Sequence, residues 1–349
     1  MTRDLPTLFG IDAPIVLGPF GGLSSVALTA AVSDAGGLGS FGLYGYSGAR
    51  IRETASALRA ATNRPFALNL WLPTGDEVLP AEADLDAARA AVAPLLAAAG
   101  VADPPLPRAF LPDLDEQLDA VWDAAPAVLS VVFGVPRAET VDEAHRRGIR
   151  VVGTATSVAE AVALADGGVD AIVASGAEAA GHRVSFLRRA EESLVGTFAL
   201  VPQVVDAVDV PVIAAGGVAD RRGVAAAFAL GAAGVQVGSA FLQTRQSAAS
   251  DAHRTALRAA ADTDTVLTRA MSGRLARGIP NRAVRTIEAA GAIAPFPAQN
   301  WLTAAFRTAA PHDADLISLW AGQAAGLSHR GDVGEVFAEL AAGLPAASR

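Results

Sequence analysis

One stretch of the chain, Pro211 to Phe241, combines strand-like and helix-like patterns with two turns made of small residues. It predicts a strand that ends at Gly216-Gly217, a helix that starts at Asp220 or Arg221, and a second strand that ends at Gly238-Ser239. Small residues let backbone amides approach an anion, and loops after strands seven and eight of a (β/α)8 barrel bind phosphate. The stretch therefore indicates that a phosphate-bearing ligand binds here, and the dipole of the following helix would favour the negative charge of the phosphate. Tight packing of helix on strand is the alternative.

Short apolar runs alternate with amphipathic helical stretches along most of the chain, which is typical of βα units and a parallel sheet. A doubly wound open sheet competes with the barrel, but it needs a glycine-rich phosphate turn after the first strand. Pro19 in the Gly18–Gly22 turn removes an amide donor there. Eight strands are predicted, the number of a closed (β/α)8 TIM barrel: Pro14–Leu17, Gly37–Phe41, Phe66–Leu70, Val128–Phe133, Arg150–Gly153, Ala171–Ala174, Val212–Ala215 and Gly234–Val237.

Two regions fall outside this repeat. Residues from about 73 to 125 should form a helical insertion after strand 3, with a Pro-rich link at Asp103–Pro107. Residues 246–349 should form a C-terminal helical lid packed on a barrel that comprises residues 1–245. The predicted helices are Ser25–Ala35, Ser47–Ala61, Arg137–Arg147, Ser157–Asp166, Pro202–Val208, Arg222–Leu230, Asp251–Ala261 and Val333–Leu344.

Two absent residue types restrict the chemistry. The chain has no cysteine, which excludes thiolate nucleophiles, disulfides and iron–sulfur clusters. All 27 basic residues are arginine, so Schiff-base chemistry and a P-loop lysine are excluded as well. A net charge of −9 argues against nucleic acid or an anionic membrane as the partner. With no signal-like or membrane-spanning apolar run, we expect a cytoplasmic protein.

His182 is the strongest candidate for a catalytic side chain. It lies in the segment SGAEAAGHR after the sixth predicted strand, where small residues leave the imidazole uncrowded at the barrel mouth. Catalytic groups of such barrels cluster there, and an imidazole titrates near neutral pH. Glu178 could orient the ring, although a solvated loop carboxylate is the simpler interpretation. Scattered histidines and the lack of HxH or HExxH spacing predict no metal site.

Two further turns could contact a flat ligand. Asn69 ends the third predicted strand, and its amide offers a donor and an acceptor to the edge of a heteroaromatic ring. A strand-end cap is the alternative. Pro19 and Phe20, after Gly18, could supply an apolar wall, or the turn could be an ordinary strand end.

These motifs together resemble the FMN-dependent nitronate monooxygenases, formerly called 2-nitropropane dioxygenases. The resemblance rests on PIVLGPFGGLSS at Pro14, ALNLW at Ala67, SGAEAAGHR at Ser175, PVIAAGGVAD at Pro211 and ALGAAGVQVGSAF at Ala229. Two tail segments, MSGRLARGIPNR and WAGQAAGL, are also similar.

The resemblance implies FMN as cofactor and His182 as a base or substrate-orienting group. This sequence differs from the common family pattern at Phe20, Ser175, Ala180 and Val184. These differences are expected to change the shape of the pocket beside the flavin. The implied FMN contacts are Gly18, Pro19, Phe20, Asn69, Ser175, Ala180, Gly181, Gly216, Gly217, Gln236, Val237, Gly238 and Ser239.

The implied reaction is oxidation of alkyl nitronates by O2 to carbonyl compounds and nitrite, without metal or nicotinamide. The partners would be a small nitronate or nitroalkane and O2, in a monomer or homodimer. Three other functions stay open. One is an FMN-dependent NAD(P)H-using reductase of the enoyl-acyl-carrier-protein or quinone reductase type. The others are a flavin-free lyase or isomerase for sugar phosphates and a non-catalytic flavin-binding or scaffold protein.

Overall fold

Eight parallel strands form a nearly closed barrel, as predicted. The computed structural model describes residues 4–346, so the outermost residues of the two predicted segments, 1–3 and 347–349, lie outside the described residues. In chain order the strands are β1 (Ile15–Leu17), β2 (Gly39–Gly42), β3 (Phe66–Trp71), β4 (Val128–Val132), β5 (Arg150–Ala155), β6 (Ala171–Ser175), β7 (Gly181–His182), β8 (Val212–Ala215), β9 (Gly234–Val237), β10 (Val266–Thr268) and β11 (Ala276–Gly278).

The barrel consists of β1 to β6 with β8 and β9, paired in the order β1-β9-β8-β6-β5-β4-β3-β2. A parallel bridge between Val16 and Leu38 brings β1 to the segment that leads into β2. There the amide of Leu17 donates to the Leu38 carbonyl and the amide of Leu38 to the Ile15 carbonyl, each at 2.9 Å. The strands β7, β11 and β10 form a separate antiparallel sheet at the barrel mouth.

Helices cover the outside of the barrel and build the two regions outside the repeat. They are α1 (Leu5–Phe9), α2 (Val26–Asp34), α3 (Gly48–Ala61), α4 (Asp86–Ala98), α5 (Leu114–Ala124), α6 (Ala138–Arg146), α7 (Val158–Asp166), α8 (Thr197–Ala207), α9 (Arg221–Ala229), α10 (Ser239–Leu242), α11 (Asp251–Ala259), α12 (Arg282–Ala290), α13 (Ala298–Ala309) and α14 (Val333–Ala341). Among the described residues, no helix is long and apolar enough to cross a membrane.

Serine caps fix the start of several helices where the sequence predicts them. The hydroxyls of Ser25, Ser47 and Ser157 accept amides in the first turns of α2, α3 and α7, while their own backbone is extended. Helix α8 is the exception, because it begins at Thr197 rather than at Pro202. Its first amide donates to the distant Glu178 carboxylate, so the start has no local sequence signal.

The core has an outer and an inner layer. Strand residues such as Ile15 and Leu17 face the surrounding helices, whereas Val16 and Ile213 face the barrel interior. Leu5 and Phe9 of α1 pack against the inner set, so this helix covers one end of the barrel. With that end filled by apolar side chains, the opposite end, where the strands terminate, is left for a ligand.

Parts of the insertion and the tail share a second apolar core. Helix α4 packs on α12 and α13, and the cluster includes Leu95, Met271, Ile287 and Phe306. Helix α5 instead packs on α3, while α14 packs on α2 and α9. The proposed division into a barrel of residues 1–245 and a lid of 246–349 stays a prediction.

Candidate active site

A cavity of about 760 Å³ opens at the carboxyl ends of the barrel strands. Ligand sites of this fold lie at that end, and the volume is typical of cofactor or substrate pockets. The predicted site residues that line it are Gly18, Pro19, Phe20, Asn69, Ser175, Ala180, Gly181, His182, Gly216, Gly217, Gln236, Gly238 and Ser239. Val237 does not line it, because its side chain is buried in the hydrophobic core.

The two small-residue turns lie on one side of this cavity. Gly216 and Gly217 follow β8 with φ values of 98° and 74°, a region that favours glycine. A Cβ atom at Gly216 would lie 2.9 Å from the Thr197 hydroxyl, whereas one at Gly217 would meet nothing closer than 3.9 Å. A Cβ atom at Gly18 would lie 3.4 Å from the Gly238 Cα, so the ends of β1 and β9 approach closely.

The tail completes the turn after β9. The amide of Gly322 donates to the Ser239 hydroxyl at 3.0 Å, and a Cβ atom at Gly322 would lie 2.9 Å from the Glu178 carbonyl oxygen. The segment WAGQAAGL therefore packs directly against the turn that contains Gly238 and Ser239. Since its hydroxyl accepts this amide, Ser239 keeps its own proton for another acceptor.

The amino end of α9 is not open to a ligand in the way the sequence suggests. The Asp220 carboxylate accepts the backbone amides of Arg222 and Gly223 and pairs with the Arg222 guanidinium. The helix begins where predicted, but the negative charge of its own N-cap residue, Asp220, already interacts with the helix dipole and the free amides. A phosphate at this side would depend on the two glycine-rich turns and on the first residues of α10.

Asn69 presents an acceptor to the cavity. Its amide nitrogen donates to the Ser130 hydroxyl at 2.9 Å and to the Ser130 carbonyl at 3.3 Å. The side-chain oxygen has no partner among the described residues and belongs to a cavity-lining residue. An N–H group at the edge of a heteroaromatic ring could therefore bind there.

His182 lies in β7, opposite Ala276 of β11. Its ring packs against two indoles, with centroid distances of 4.9 Å to Trp71 and 5.4 Å to Trp320. Nε2 lies 2.8 Å from the Ser272 hydroxyl. That hydroxyl donates to the Arg274 carbonyl at 3.1 Å, so it accepts from Nε2–H, and Nδ1 carries the lone pair.

The imidazole of His182 is neutral under ordinary conditions. Burial, together with the smaller effect of the positive charges of Arg274 and Arg307, lowers its pKa from 6.5 to about 3. The side chain keeps part of its surface toward the cavity, and Nδ1 has no hydrogen-bond partner within residues 4–346. The site thus offers a neutral acceptor, or base, rather than a cation.

Glu178 does not orient this ring and is not a freely solvated carboxylate, so both expectations for it were wrong. Its carboxylate accepts the amide of Thr197 at 2.9 Å and the hydroxyl of Thr197 at 2.9 Å. The same hydroxyl lies 3.0 Å from the Gly216 carbonyl oxygen. Glu178 therefore supports the turn after β8 and the start of α8, while Ser272 holds His182.

One wall of the cavity, which is made of large aromatic and polar residues rather than glycine, was not predicted from the sequence. This wall contains aromatic and polar residues from the loop after β2, the end of β3, helix α13 and other parts of the tail: Tyr44, Trp71, Phe296, Asn300, Arg307 and Trp320. The rings of Tyr44 and Trp71 lie 4.4 Å apart, and those of Trp71 and Phe296 lie 5.9 Å apart. The segments ALNLW and WAGQAAGL hold Trp71 and Trp320, but nothing local marks Tyr44 or α13.

Within residues 4–346 no group of three or more potential metal ligands occurs.

The fold and this cavity define a barrel whose site brings glycine-rich turns together with a histidine among aromatic rings. Comparison with known proteins assigns the chain to the flavin-dependent oxidoreductases. The nitronate monooxygenase family model matches residues 3–343. A probable nitronate monooxygenase of Staphylococcus aureus is 37% identical over 323 residues, 91% of this chain and 90% of that protein. The chain belongs to the nitronate monooxygenase family, which confirms the resemblance.

Several solved structures share this fold. Nitroalkane oxidase from Streptomyces ansochromogenes has 34% sequence identity and a TM-score of 0.85, with 97% of this chain and 98% of that chain covered. FabK from Thermotoga maritima has 28% identity and a TM-score of 0.75, with 97% and 94% covered. The enoyl reductase domain of MlnA from Bacillus amyloliquefaciens, 15% identical with a TM-score of 0.59 over 82% of this chain and 69% of that chain, shares the fold.

Proposed function

We propose that this protein binds FMN and oxidises alkyl nitronates with O2 to carbonyl compounds and nitrite. One observation carries the proposal: a single cavity holds both glycine-rich turns and the partner-free Nδ1 of His182. Membership of the nitronate monooxygenase family supports the same reaction.

The residues of the cavity fit FMN. Gly216-Gly217 and Gly238-Ser239 would hold the phosphate, because a turn without side chains lets backbone amides approach it. The Asn69 side-chain oxygen would accept an N–H of the ring system, and Pro19 and Phe20 would pack against it. The family generally uses FMN, which when bound supplies one-electron transfer between an organic substrate and oxygen.

His182 would act on the substrate through Nδ1. A neutral imidazole in a cavity-lining residue can remove the proton from the carbon beside the nitro group of a neutral nitroalkane, which leaves the nitronate that is then oxidised. Trp71 and Trp320 enclose the ring on two sides, so that little water competes for Nδ1. The Ser272 hydroxyl fixes the tautomer that leaves Nδ1 unprotonated.

The experiment is an aerobic assay of the purified holoprotein with nitroethane and, separately, with nitroethane nitronate, in which nitrite and acetaldehyde are measured. The proposal predicts both products from the wild type with either substrate, and a loss of at least about 100-fold with nitroethane in His182→Ala with FMN retained, because nitroethane still carries the proton that Nδ1 removes. Unaltered turnover of nitroethane by that variant would remove His182 from the mechanism.

The reductase alternative is tested by anaerobic mixing with NADPH. Rapid bleaching of the flavin together with no nitrite from the nitronate would contradict the proposed function and favour the reductase. A colourless protein that does not bind added FMN would favour the flavin-free lyase or isomerase.

A further inference from the structure

A chain of hydrogen bonds links three residues in the aromatic wall of the cavity. One guanidinium nitrogen of Arg307, Nη2, donates to the side-chain oxygen of Asn300 at 2.8 Å and to the Asn300 carbonyl at 2.8 Å. The side-chain nitrogen of Asn300 lies 3.0 Å from the Tyr44 hydroxyl. All three residues line the cavity, and none of them is used by the mechanism above.

The direction of this chain follows from its first member. A guanidinium only donates, so the oxygen of the Asn300 amide must face Arg307 and the NH2 group must face Tyr44. The Tyr44 oxygen therefore accepts from Asn300 and keeps its own proton. Within the described residues no acceptor takes that proton. The hydroxyl can give it only to solvent or to a ligand in the cavity.

The charge state of the chain favours a donated hydrogen bond from Tyr44. Burial raises the pKa of Tyr44 to about 12, against the opposing effects of Asn300 and of the charges of Arg307 and Arg274, so the hydroxyl stays protonated. Burial lowers the pKa of Arg307 to about 10, so the guanidinium keeps its charge near neutral pH. That charge polarises the amide and, through it, the hydroxyl.

Arg307 also lacks an anionic partner. Among residues 4–346 no carboxylate lies within ion-pair distance of its guanidinium, and its Nε is buried without a hydrogen bond. A partly enclosed positive charge without a counter-ion is costly, and a bound anion would offset that cost. By contrast, Arg274 is already paired with Asp76 and Glu77.

Tyr44 and His182 contact the same indole. The Trp71 ring lies 4.4 Å from the Tyr44 ring and 4.9 Å from the His182 ring, measured between centroids. A directed proton donor and a neutral acceptor thus flank one aromatic side chain. The oxygens of a nitronate and of its parent nitroalkane both accept such a hydrogen bond, and the carbon of the nitroalkane carries the proton that a base removes.

We propose that the Tyr44 hydroxyl, aimed by Asn300 and Arg307, donates a hydrogen bond to a substrate oxygen on nitrogen. The proposal rests on the proposed function, because it assigns a role toward that substrate. In this role Tyr44 is a catalytic residue that touches the substrate, while Asn300 and Arg307 are positioning residues.

The experiment compares four holoproteins: wild type, Tyr44→Phe, Asn300→Asp and the double variant. Tyr44→Phe keeps the ring against Trp71 and deletes only the hydroxyl. Asn300→Asp keeps a partner for Arg307, but the new carboxylate has no proton to give and so takes the one on Tyr44. The readouts are kcat and KM with nitroethane nitronate in air, and FMN content by absorbance.

The expected result is a rise in KM of about 10- to 100-fold in each single variant, the loss for a hydrogen bond to a charged group. FMN content should not change. The double variant should match Tyr44→Phe, because a carboxylate at position 300 has no hydroxyl left to redirect. If the KM effects of the two single variants instead add fully in the double variant, the carboxylate acts by its charge alone. That result would overturn the proposal that Asn300 acts through the Tyr44 hydroxyl.

Two other outcomes separate this proposal from the proposed function. Wild-type KM in Tyr44→Phe, with normal nitrite production by both proteins, overturns the role of Tyr44 and leaves the proposed function standing. A fall in FMN content with unchanged KM would mean that Tyr44 contacts the cofactor instead, which also overturns the proposal. Absence of nitrite from the wild type would remove the proposed function, and this role with it.

Discussion

Placing a carboxylate at Gly238 should expel the cofactor by its charge rather than by its size. Gly238 has φ −111°, which any residue adopts, and a Cβ atom there would lie 3.5 Å from the nearest atom, Cε1 of Phe20. Gly238→Asp therefore fits sterically. Two unit charges about 4 Å apart repel by about 4 kcal/mol at an effective dielectric constant near 20, which corresponds to about 1,000-fold in Kd.

Gly238→Asn is the matched control, since it has the same shape without the charge. We expect Asn to weaken FMN binding only modestly and Asp to weaken it at least about 100-fold more, after allowance for salt screening. Flavin fluorescence quenching on titration of each apoprotein with FMN gives both values. Equal dissociation constants for the two variants would refute a phosphate at this turn.

Three further predictions address the supporting structure. Gly216→Ala should lower the free energy of unfolding in urea by about 2 to 4 kcal/mol and Gly217→Ala by about 1 to 2 kcal/mol, because both strain a positive φ but only the first also creates a close contact; equal losses would contradict the packing. Because the pKa of His182 is depressed, the unfolded chain binds a proton below about 6.5 that the folded protein does not take up until about 3. Stability should therefore fall as pH drops through this window, by up to about 1.4 kcal/mol per pH unit, and His182→Gln should reduce that slope in urea titrations at several pH values; an unchanged slope would contradict it. Arg274→Met should cost about 2 to 4 kcal/mol of stability, since it leaves Glu77 without its cation; a thermal melt within error of wild type would refute this.

Much of the fold could be predicted from the sequence because the relevant signals are local. Strands such as β8 and β9 are short apolar runs that end in small residues, and each predicted bound of these two strands agrees with the structure. Serine caps such as Ser25 and Ser157 mark helix starts within one residue. Where the stabilising partner is distant, the prediction was wrong: α8 begins five residues early because Glu178 accepts the amide of Thr197.

In the candidate site, too, the residues with local sequence signals were predicted and those that depend on distant partners were not. The glycine turns and His182 follow strand ends, so the fold itself predicts that they meet. The aromatic wall depends on long-range contacts, as Asn300 and Tyr44 are 256 residues apart in the chain. Ser272 meets His182 only because β11 pairs with β7. No spacing rule in one sequence indicates such pairs.

The most direct test of the account is the absorption spectrum of the purified protein, followed by addition of nitroethane nitronate in air. We expect the absorption band of a flavin that can be released as FMN, and nitrite formed together with acetaldehyde. A protein that neither carries nor binds FMN, or a flavoprotein that forms no nitrite, would contradict it.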